Sequence, residues 1–396
     1  MLSVGYVVDR FPQLSQTFVR EEVRELRRLG ARVSVVSLDD GDVLPAPDEV
    51  DDLLVVRSLR PRGLGSRVAT HGERVRHPAR ARRAERVVAL LGDEVSGGEG
   101  HIPAWKLPAV GRWLASRRVT RLHAHFGWQG AGAAWVLSEL MGVPWSVTLH
   151  AKDIFSRRVN LEAKLAGAHQ LITVCDYNRR YLRQDLGVRR PVDVVVCGVD
   201  VPDVVAADRG QVVAAVGRLV PKKGFDVLIR AAASLRPQFP RLRVVIVGDG
   251  PEKYTLRALI DELGLGGTVE LCGAVEHDSA LRMMGEARVF CLPARIAPDG
   301  DRDSMPVVIK EAMARAVPVV ATDVVGIPEI VDQRCGRLVT PDHVDGLAEA
   351  IGELLADAEL ARRLGRAGRS RVMARCTLTG EVNKLMALLS GQPSSW

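Results

Sequence analysis

Residues 212–232 read VVAAVGRLVPKKGFDVLIRAA, and this stretch decides the class of fold. The run of valine and alanine has the length of a buried strand, and the apolar residues from Phe225 onward recur at helical spacing. The loop between them, GRLVPKKG, contains Arg218 and Lys223. A buried strand followed by a short loop and a helix is the repeating unit of an α/β protein with a parallel sheet.

This strand–helix unit recurs along the chain. Strand-like runs followed by helical patterns are LSVGYVV, RVSVVSL, TRLHA, WSVTL, LITV and VDVVV in the first half, and VVAAVG, RVVIVG, TVELCG, RVFCLP, VPVVAT and GRLV in the second. Between them, residues 197–210 have no clean periodicity and indicate a linker. We predict two doubly wound Rossmann-like domains, residues 1–198 and 199–396, facing a central cleft. The last helix, about residues 377–390, follows a complete second domain, and the first domain is a candidate surface for its apolar side.

Composition excludes several classes of protein. A chain of 396 residues with 47% hydrophobic residues can form two cores and is not intrinsically disordered. Only 4% of the residues are aromatic, which disfavours recognition of nucleic acid by base stacking, so we expect no nucleic-acid partner. The six cysteines form no CxxC pair and are expected to be buried thiols in a reducing compartment.

The chain has no apolar stretch of roughly 20 residues, the length that spans a bilayer, and its first residues lack the features of a signal peptide. We therefore expect a cytoplasmic protein. The net charge of +7 is concentrated in the arginine-rich segment Arg57–Arg86. This segment is either a solvated helix or a surface that contacts anionic lipid headgroups, which would bring the protein to the inner face of the membrane.

The loop after strand VVAAV carries the first candidate site residues. A guanidinium group at Arg218 and an ammonium group at Lys223 suit a diphosphate, especially one that gains charge as it leaves. The alternative is a solvated basic turn. The position at the carboxyl end of a parallel strand favours the phosphate-binding interpretation.

A second candidate is the stretch 301–314, DRDSMPVVIKEAMA. Pro306 fits the first position of a helix, Asp303 lies just ahead of it and Glu311 about one turn inside. The N–H groups predicted to face phosphate oxygens at this helix start are those of Ser304, Met305 and Val307. Taken alone, the stretch is equally an ordinary helix start with an acid that complements the helix dipole.

Two patterns resemble metal sites. His123 and His125 alternate on a strand, but without a third ligand nearby in sequence we interpret them as histidines lining a cleft. The acids of residues 299–303 imitate a metal-binding DxD motif, yet the nearby cations already supply positive charge. We predict no metal and no cofactor. His169 and His277 are interpreted as surface or loop residues.

With these motifs taken together, the chain resembles the retaining family 4 glycosyltransferases of the GT-B fold. The resemblance covers almost the whole sequence, and its N-terminal part is most similar to transferases of bacterial exopolysaccharide assembly of the colanic acid type. The segments that carry it are RFPQLSQTFVREEVRELRRLG, LHAHFGWQGAGAAWVLSELMGVPWSVTLHAKDIF, VCDYNRRYL, VGRLVPKKGFDVLIRAA, GDGPEKYTLRALIDELGL and MPVVIKEAMARAVPVVATDVVGIPEIV.

The resemblance implies a reaction. A sugar is transferred from a nucleoside-diphosphate sugar, most commonly UDP-linked in such relatives, to an acceptor hydroxyl, with retention of anomeric configuration. The acceptor is a lipid-linked oligosaccharide or a small metabolite, in polysaccharide or natural-product biosynthesis. Alternatives are an epimerase or hydrolase of nucleotide sugars on the same fold, or a non-catalytic protein that binds sugar nucleotides or nucleic acid.

The resemblance also implies roles for individual residues. Arg218 and Lys223 match the diphosphate-binding pair, and Asp303 and Glu311 match the two acids that hold the donor sugar and the ribose. His150 matches a histidine near the reacting sugar, and the backbone of Gly273 to Val275 falls where the family binds the nucleobase. Asp303 replaces the usual glutamate of the family, which shortens the side chain by one methylene group.

Overall fold

The computed structural model describes residues 1–13, 16–42, 50–56, 77–92, 104–203 and 210–391. The chain divides into two compact units. The first comprises Met1–Val174, Asn178–Val196 and Glu381–Trp396, and the second comprises Cys175–Tyr177 and Cys197–Gly380. The last helix therefore belongs largely to the first unit, where the buried carboxylate of Glu381 accepts a hydrogen bond of 2.9 Å from the N–H of Val196.

A parallel sheet forms the centre of the first unit. The order of its seven described strands is β3-β2-β1-β4-β5-β6-β7, and every adjacent pair is parallel. Their bounds are β1 (Ser3–Phe11), β2 (Arg32–Asp40), β3 (Asp52–Val55), β4 (Arg121–His125), β5 (Trp145–Leu149), β6 (Gln170–Thr173) and β7 (Val192–Val194). The sequence predicts six of these strands, all except β3. Five of the six are buried runs of alternating or continuous apolar residues.

The edge strand β3 was missed by the sequence analysis. It contains only four residues, DLLV, all of them half-buried, and it lies at the start of the arginine-rich segment. A run of this length has too little periodicity to distinguish a strand from a loop. Its place in the sheet comes from pairing with β2, which a local pattern does not reveal.

Helices follow most strands of the first unit. They are α1 (Thr17–Arg28), α2 (Pro78–Leu91), α3 (Leu107–Ser116), α4 (Gln129–Met141), α5 (Ala151–Phe155), α6 (Leu161–Gly167) and α7 (Asp176–Gln184). Of these, α1 presents Val19, Val23 and Leu26 to the core, in agreement with the spacing in the sequence. The carboxyl ends of β1, β4 and β5 lie side by side, and the chain order reverses between β1 and β4.

The second unit repeats this architecture with six described strands in the order β10-β9-β8-β11-β12-β13, all parallel. The strands are β8 (Val212–Val216), β9 (Arg243–Val247), β10 (Val269–Gly273), β11 (Val289–Leu292), β12 (Val319–Thr322) and β13 (Gly336–Val339). Here the order reverses between β8 and β11. Ligands of doubly wound sheets bind at such a reversal, beyond the carboxyl ends of the strands.

The helices of the second unit connect these strands. They are α8 (Phe225–Leu235), α9 (Lys253–Glu262), α10 (His277–Gly285), α11 (Val307–Ala314), α12 (Ile327–Ile330), α13 (Val344–Ala356) and α14 (Ala358–Arg375), followed by α15 (Leu378–Leu389), which returns to the first unit. All six cysteines are free thiols. Among the described residues, no helix has both the length and the apolar composition needed to cross a bilayer.

Candidate active site

The loop after β8 brings three basic side chains to the sheet reversal of the second unit. Arg218 is exposed, and within the described part of the chain its guanidinium group makes no hydrogen bond or ion pair. Residues Pro221–Lys223 form one 3₁₀ turn, which ends at Gly224. A Cβ atom on Gly224, which has φ of 64°, would lie 2.0 Å from the carbonyl oxygen of Pro293, so only glycine lets this loop lie against the loop after β11.

Asp303 binds two lysines of that turn. Its Oδ2 atom lies 2.6 Å from Nζ of Lys223, and its Oδ1 atom lies 3.2 Å from Nζ of Lys222. Burial alone would raise the pKa of Asp303, but the two ammonium groups outweigh it and hold this pKa well below its usual range. Asp303 is therefore an ionised carboxylate at any pH at which the protein is assayed.

Lys222 is a residue that the sequence analysis missed. Only 8% of it is exposed, and its ammonium group also lies 3.1 Å from Oδ1 of Asp301. The two acids raise the pKa of Lys222, although burial opposes them. Lys223 is not a free cation, because its side chain is held by Asp303. The sign of Lys222 in the sequence was its place next to Lys223, and the structure shows that the ammonium groups of both lysines contact Asp303.

The start of α11 differs in register from the prediction. Pro306 is the N-cap residue rather than the first helical residue, and the helix begins at Val307. Ser304 and Met305 thus lie in the loop ahead of the helix, both almost fully buried. Of the three predicted phosphate-facing residues, only Val307 belongs to the first turn, where N–H groups have no partner within the helix.

Glu311 lies one turn inside α11, as predicted, and faces a partner that the sequence analysis dismissed. Its Oε1 atom lies 3.4 Å from Nε2 of His277, the first residue of α10. His277 is 38% exposed in its side chain, whereas Glu311 is 10% exposed. His277 is a surface residue, as interpreted, but it begins a helix and contacts a candidate site residue, which the sequence did not indicate. His169, by contrast, is exposed as predicted.

Gly273 and Val275 lie at the carboxyl end of β10. The carbonyl group of Gly273 accepts a hydrogen bond of 2.8 Å from the N–H of Gly248, so this part of the proposed base-binding backbone is already engaged. Gly273 has φ of 73°, a conformation that favours glycine. Val275 is 38% exposed and offers an apolar surface beside this turn.

His150 is the candidate site residue of the first unit. It lies directly after β5 and is the N-cap residue of α5. Its backbone N–H donates to Oδ1 of the buried Asp153 at 2.9 Å, and only 8% of His150 is exposed. The imidazole ring packs between two aromatic rings, with centroids 4.3 Å from that of Phe126 and 5.0 Å from that of Phe18.

A row of hydrogen-bonded side chains extends from His150 into the first unit. Nε2 of His150 lies 3.1 Å from Nδ1 of His125, and Nε2 of His125 lies 2.9 Å from Oε1 of Glu22 on α1. The hydroxyl group of Tyr6 donates to the same oxygen of Glu22 at 2.5 Å. We name Tyr6, Glu22, His125 and His150 the histidine chain.

The structure corrects the interpretation of His123 and His125 as histidines that line a cleft without a third ligand, because both are buried and Glu22 lies beside them. Glu22, His123 and His125 each offer one ligand atom, and these atoms all lie within 4.8 Å of one another. The ring nitrogens of His123 are occupied, however, by the hydroxyl groups of Ser146 at 2.8 Å and Thr148 at 3.2 Å. Burial and the neighbouring His125 lower the pKa of His123 to about 3, so this ring is neutral. The group satisfies its own hydrogen bonds, and a metal ion would have to break them.

Comparison with known families now adds to this geometry. The family model described as glycosyl transferases group 1 matches residues 201–371, and the model described as glycosyltransferase family 4 matches residues 15–202. A GDP-mannose-dependent α-(1-6)-phosphatidylinositol monomannoside mannosyltransferase of Mycobacterium tuberculosis is 32% identical over 67% of this chain and 72% of its own length. This chain belongs to glycosyltransferase family 4.

Two further proteins extend the comparison of this glycosyltransferase along its whole length. A protein of Escherichia coli K12 described as the colanic acid biosynthesis glycosyltransferase WcaL is 30% identical over 88% of this chain and 90% of its own. The crystal structure of HepE of Anabaena in complex with UDP-glucose is 18% identical, has a TM-score of 0.72 and covers 99% of this chain and 100% of its own. The predicted GT-B fold with two Rossmann-like domains and the predicted glycosyl transfer are both confirmed.

The roles of individual residues stay predictions. The structure brings Lys223 and Asp303 into contact and adds Lys222 to them, and it adds His277 to Glu311 and the histidine chain to His150. Most of the segment Arg57–Arg86 lies outside the described residues, which resume at residue 77. Its described remainder belongs to α2, where Arg83 pairs with Glu139.

Proposed function

We propose that this glycosyltransferase uses a nucleoside-diphosphate sugar as donor and retains the configuration of the transferred sugar. The observation that carries the proposal is the charged loop after β8. It combines the unpaired, exposed guanidinium of Arg218 with an ion-paired Lys223 that Asp303 holds at 2.6 Å. A leaving diphosphate gains negative charge in the transition state, which the exposed guanidinium of Arg218 and the positioned ammonium group of Lys223 would stabilise.

Asp303 and Glu311 have separate roles in this proposal. Asp303 contacts hydroxyl groups of the donor sugar, and Glu311 binds the ribose. The ionised state of Asp303 makes it an acceptor for hydroxyl donors, and its contact with Lys223 would couple the sugar-binding and diphosphate-binding groups. His277 beside Glu311 would help to orient the ribose carboxylate.

We also propose that transfer needs no metal ion. The acids Asp301 and Asp303 are spaced like a DxD motif, but the ammonium group of Lys222 lies 3.1 Å from one and 3.2 Å from the other. A protein cation thus occupies the position where two carboxylates would bind a divalent ion. With Arg218 and Lys223, the loop contains enough positive charge to stabilise a diphosphate.

The base of the donor is tested directly. The M. tuberculosis relative is named for GDP-mannose, and the HepE crystal contains UDP-glucose. We propose UDP, in line with the resemblance of the sequence. Thermal-shift titration with UDP-, GDP- and dTDP-sugars should raise the melting temperature most with a UDP-sugar, since a ligand that binds only the folded state stabilises it. A shift with GDP-mannose alone would replace UDP by GDP.

Retention is tested on the product. Proton NMR of the newly formed glycosidic bond during turnover should show the anomeric coupling of the donor. An inverted product would refute front-side attack. Release of free sugar at the same rate with and without acceptor would instead favour a hydrolase on the same fold.

For the acceptor, we propose a lipid-linked saccharide that the protein reaches by peripheral contact with anionic membranes. On α2, Arg82 and Arg86 are exposed and recur at a spacing of four residues with Leu90, which is 56% exposed. Each arginine near an anionic surface contributes about 1 kcal/mol of attraction. The charge-reversed double variant R82E/R86E should sediment less with anionic vesicles than the wild type. Equal sedimentation with neutral and anionic vesicles would favour a soluble acceptor.

A further inference from the structure

The histidine chain contains four ionisable side chains, three of them beyond the residue that the resemblance assigns to the reaction. Glu22 comes from α1, His125 from the end of β4 and His150 from the loop after β5, and consecutive members lie 2.9 and 3.1 Å apart. Three elements that are distant in sequence therefore place polar atoms in one line at the carboxyl ends of adjacent strands.

The neighbours of Glu22 determine its charge. Burial alone would raise its pKa, but His125 and the hydroxyl group of Tyr6 outweigh that effect and lower it. Glu22 is therefore an ionised carboxylate, which can only accept hydrogen bonds. Since Tyr6 and His125 both approach the same oxygen, both must donate to it.

The charge of Glu22 determines where the protons lie along the histidine chain. Because Nε2 of His125 donates to Glu22, a neutral His125 has no proton on Nδ1, and this nitrogen accepts. The partner of that nitrogen, Nε2 of His150, must then be the donor. His150 is held as the tautomer with its proton on Nε2, and its Nδ1 is an acceptor.

The start of α5 is compatible with the same tautomer. His150 and Asp153 have the arrangement of a capping box, in which the carboxylate of Asp153 accepts from the backbone N–H of His150 at 2.9 Å and the imidazole of His150 faces the backbone N–H of Asp153. A ring that accepts this N–H needs a nitrogen without a proton, and Nε2 already donates to His125. The aromatic rings of Phe18 and Phe126 restrict the remaining freedom of the imidazole.

We propose that Glu22 and His125 are positioning residues that fix the tautomer and the orientation of His150. An aliphatic core would stabilise this region without the cost of a buried carboxylate, so a connected polar chain that ends on a candidate site residue indicates a role in specifying one arrangement. This proposal rests on the proposed function only for the step from the geometry of His150 to turnover.

The test compares Glu22→Leu with Glu22→Gln in the full-length protein. Leucine removes the acceptor, whereas glutamine keeps a carbonyl oxygen that can accept from both Tyr6 and His125. The matched control is Glu21→Leu, since Glu21 is the adjacent residue on α1 and its carboxylate pairs with Arg24. Melting temperatures of all three variants show whether each one folds.

The decisive readout is ¹⁵N NMR of histidine-labelled protein without substrate, with the signals of His125 and His150 assigned from His125→Asn and His150→Asn. We expect the wild type, Glu21→Leu and Glu22→Gln to keep His150 protonated on Nε2, and Glu22→Leu to show a mixture of tautomers. An unchanged His150 in a folded Glu22→Leu variant would overturn the proposal. One equivalent of bound zinc in the purified wild type, absent from Glu22→Leu, would replace it by a metal site at Glu22, His123 and His125.

Kinetics separate this inference from the proposed function. Glu22→Leu should lower kcat about tenfold and leave the affinity for free nucleoside diphosphate unchanged, and Glu22→Gln should restore most of the rate. If no nucleotide sugar is a substrate but the tautomers respond as expected, only the proposed function fails. If transfer is observed and the rate of a folded Glu22→Leu variant equals that of the wild type, the positioning role fails.

Discussion

The polar clusters of the two units differ in how their charges are used. In the first unit, His125 and His150 are buried and Glu22 is half-buried, and these three side chains form hydrogen bonds with one another. In the second unit, Arg218 is exposed and its guanidinium group makes no hydrogen bond or ion pair within the described residues, and Asp303 is shared between two lysines. The two units thus share one architecture but differ in their polar clusters. The cluster of the first unit fixes the geometry of its side chains, and the cluster of the second unit offers charge to a ligand.

Two similar sheets can therefore carry different parts of one function. A saturated network in a low-dielectric interior is rigid, because each member loses a hydrogen bond if it moves. An unpaired surface guanidinium is available to an anionic ligand and costs the folded state little. We therefore expect substitutions in the second unit to change binding and turnover with little effect on stability, and substitutions in the first to affect stability as well.

The largest expected effect comes from Arg218→Ala. Loss of a cation that acts on the departing diphosphate should lower kcat by about 10²-fold or more, while the melting temperature stays within error of the wild type. Steady-state kinetics and thermal denaturation measure both. Arg230→Ala is the control, because Arg230 is likewise exposed, on α8. Equal rates for the two variants would show that the charged loop has no part in the reaction.

A tenfold effect should separate the two acids. Glu311→Ala should weaken binding of free nucleoside diphosphate about tenfold, the size expected for a lost hydrogen bond to a charged group. Asp303→Ala should lower turnover, because the sugar loses its partner. Free nucleoside diphosphate keeps its ribose contact and meets Lys222 and Lys223 without their carboxylate, so its affinity should not fall. Calorimetric titration of nucleoside diphosphate decides between them. Wild-type binding and turnover in both variants would reduce the stretch 301–314 to an ordinary helix start.

A smaller effect concerns acid stability in the first unit. The pKa of Glu22 is lowered in the folded protein from its ordinary value of 4.5, by His125 and its other partners against the effect of burial. Its charge therefore stabilises the fold above that ordinary value, and the contribution is lost as the pH falls through the lowered pKa. As the pH is lowered from 7, the melting temperature should fall less steeply in Glu22→Gln than in the wild type. Parallel curves would mean that the Glu22 charge does not stabilise the fold.

No effect at all is expected from chelation. Because Lys222 bridges Asp301 and Asp303, treatment with EDTA should leave the rate of transfer unchanged. The measurement is turnover before and after dialysis against EDTA, with Mg²⁺ or Mn²⁺ added back. Loss of activity on chelation and its return with either metal would show that the acids bind a metal ion in place of the lysine.

The sequence predicts those features that depend on neighbours along the chain. Valine-rich strands such as β8 and β9 have enough periodicity to be recognised, and the positions of Arg218, His150 and Glu311 follow from the strand or helix next to them. The resemblance to a family then supplied the roles, and comparison confirmed the family.

The features that sequence analysis missed depend on contacts between distant elements. Glu22 meets His125 across more than a hundred positions, and His277 meets Glu311 between separate helices. No local pattern distinguishes such a glutamate or histidine from a solvated one. The register of Pro306 was wrong for a different reason, because proline suits both the N-cap and the first helical position, and the packing of the loop decides between them.

The return of α15 to the first unit has a consequence for the order in which the protein is made. The ribosome completes the second unit before it synthesises the residues from Glu381 onward, whose buried Val382 and Leu385 belong to the first unit. The N-terminal half must therefore wait for the synthesis of these residues with part of its core uncovered. A fragment that stops at the linker would lack this helix, and we expect it to need residues 378–391, supplied as a separate peptide, to reach its full stability.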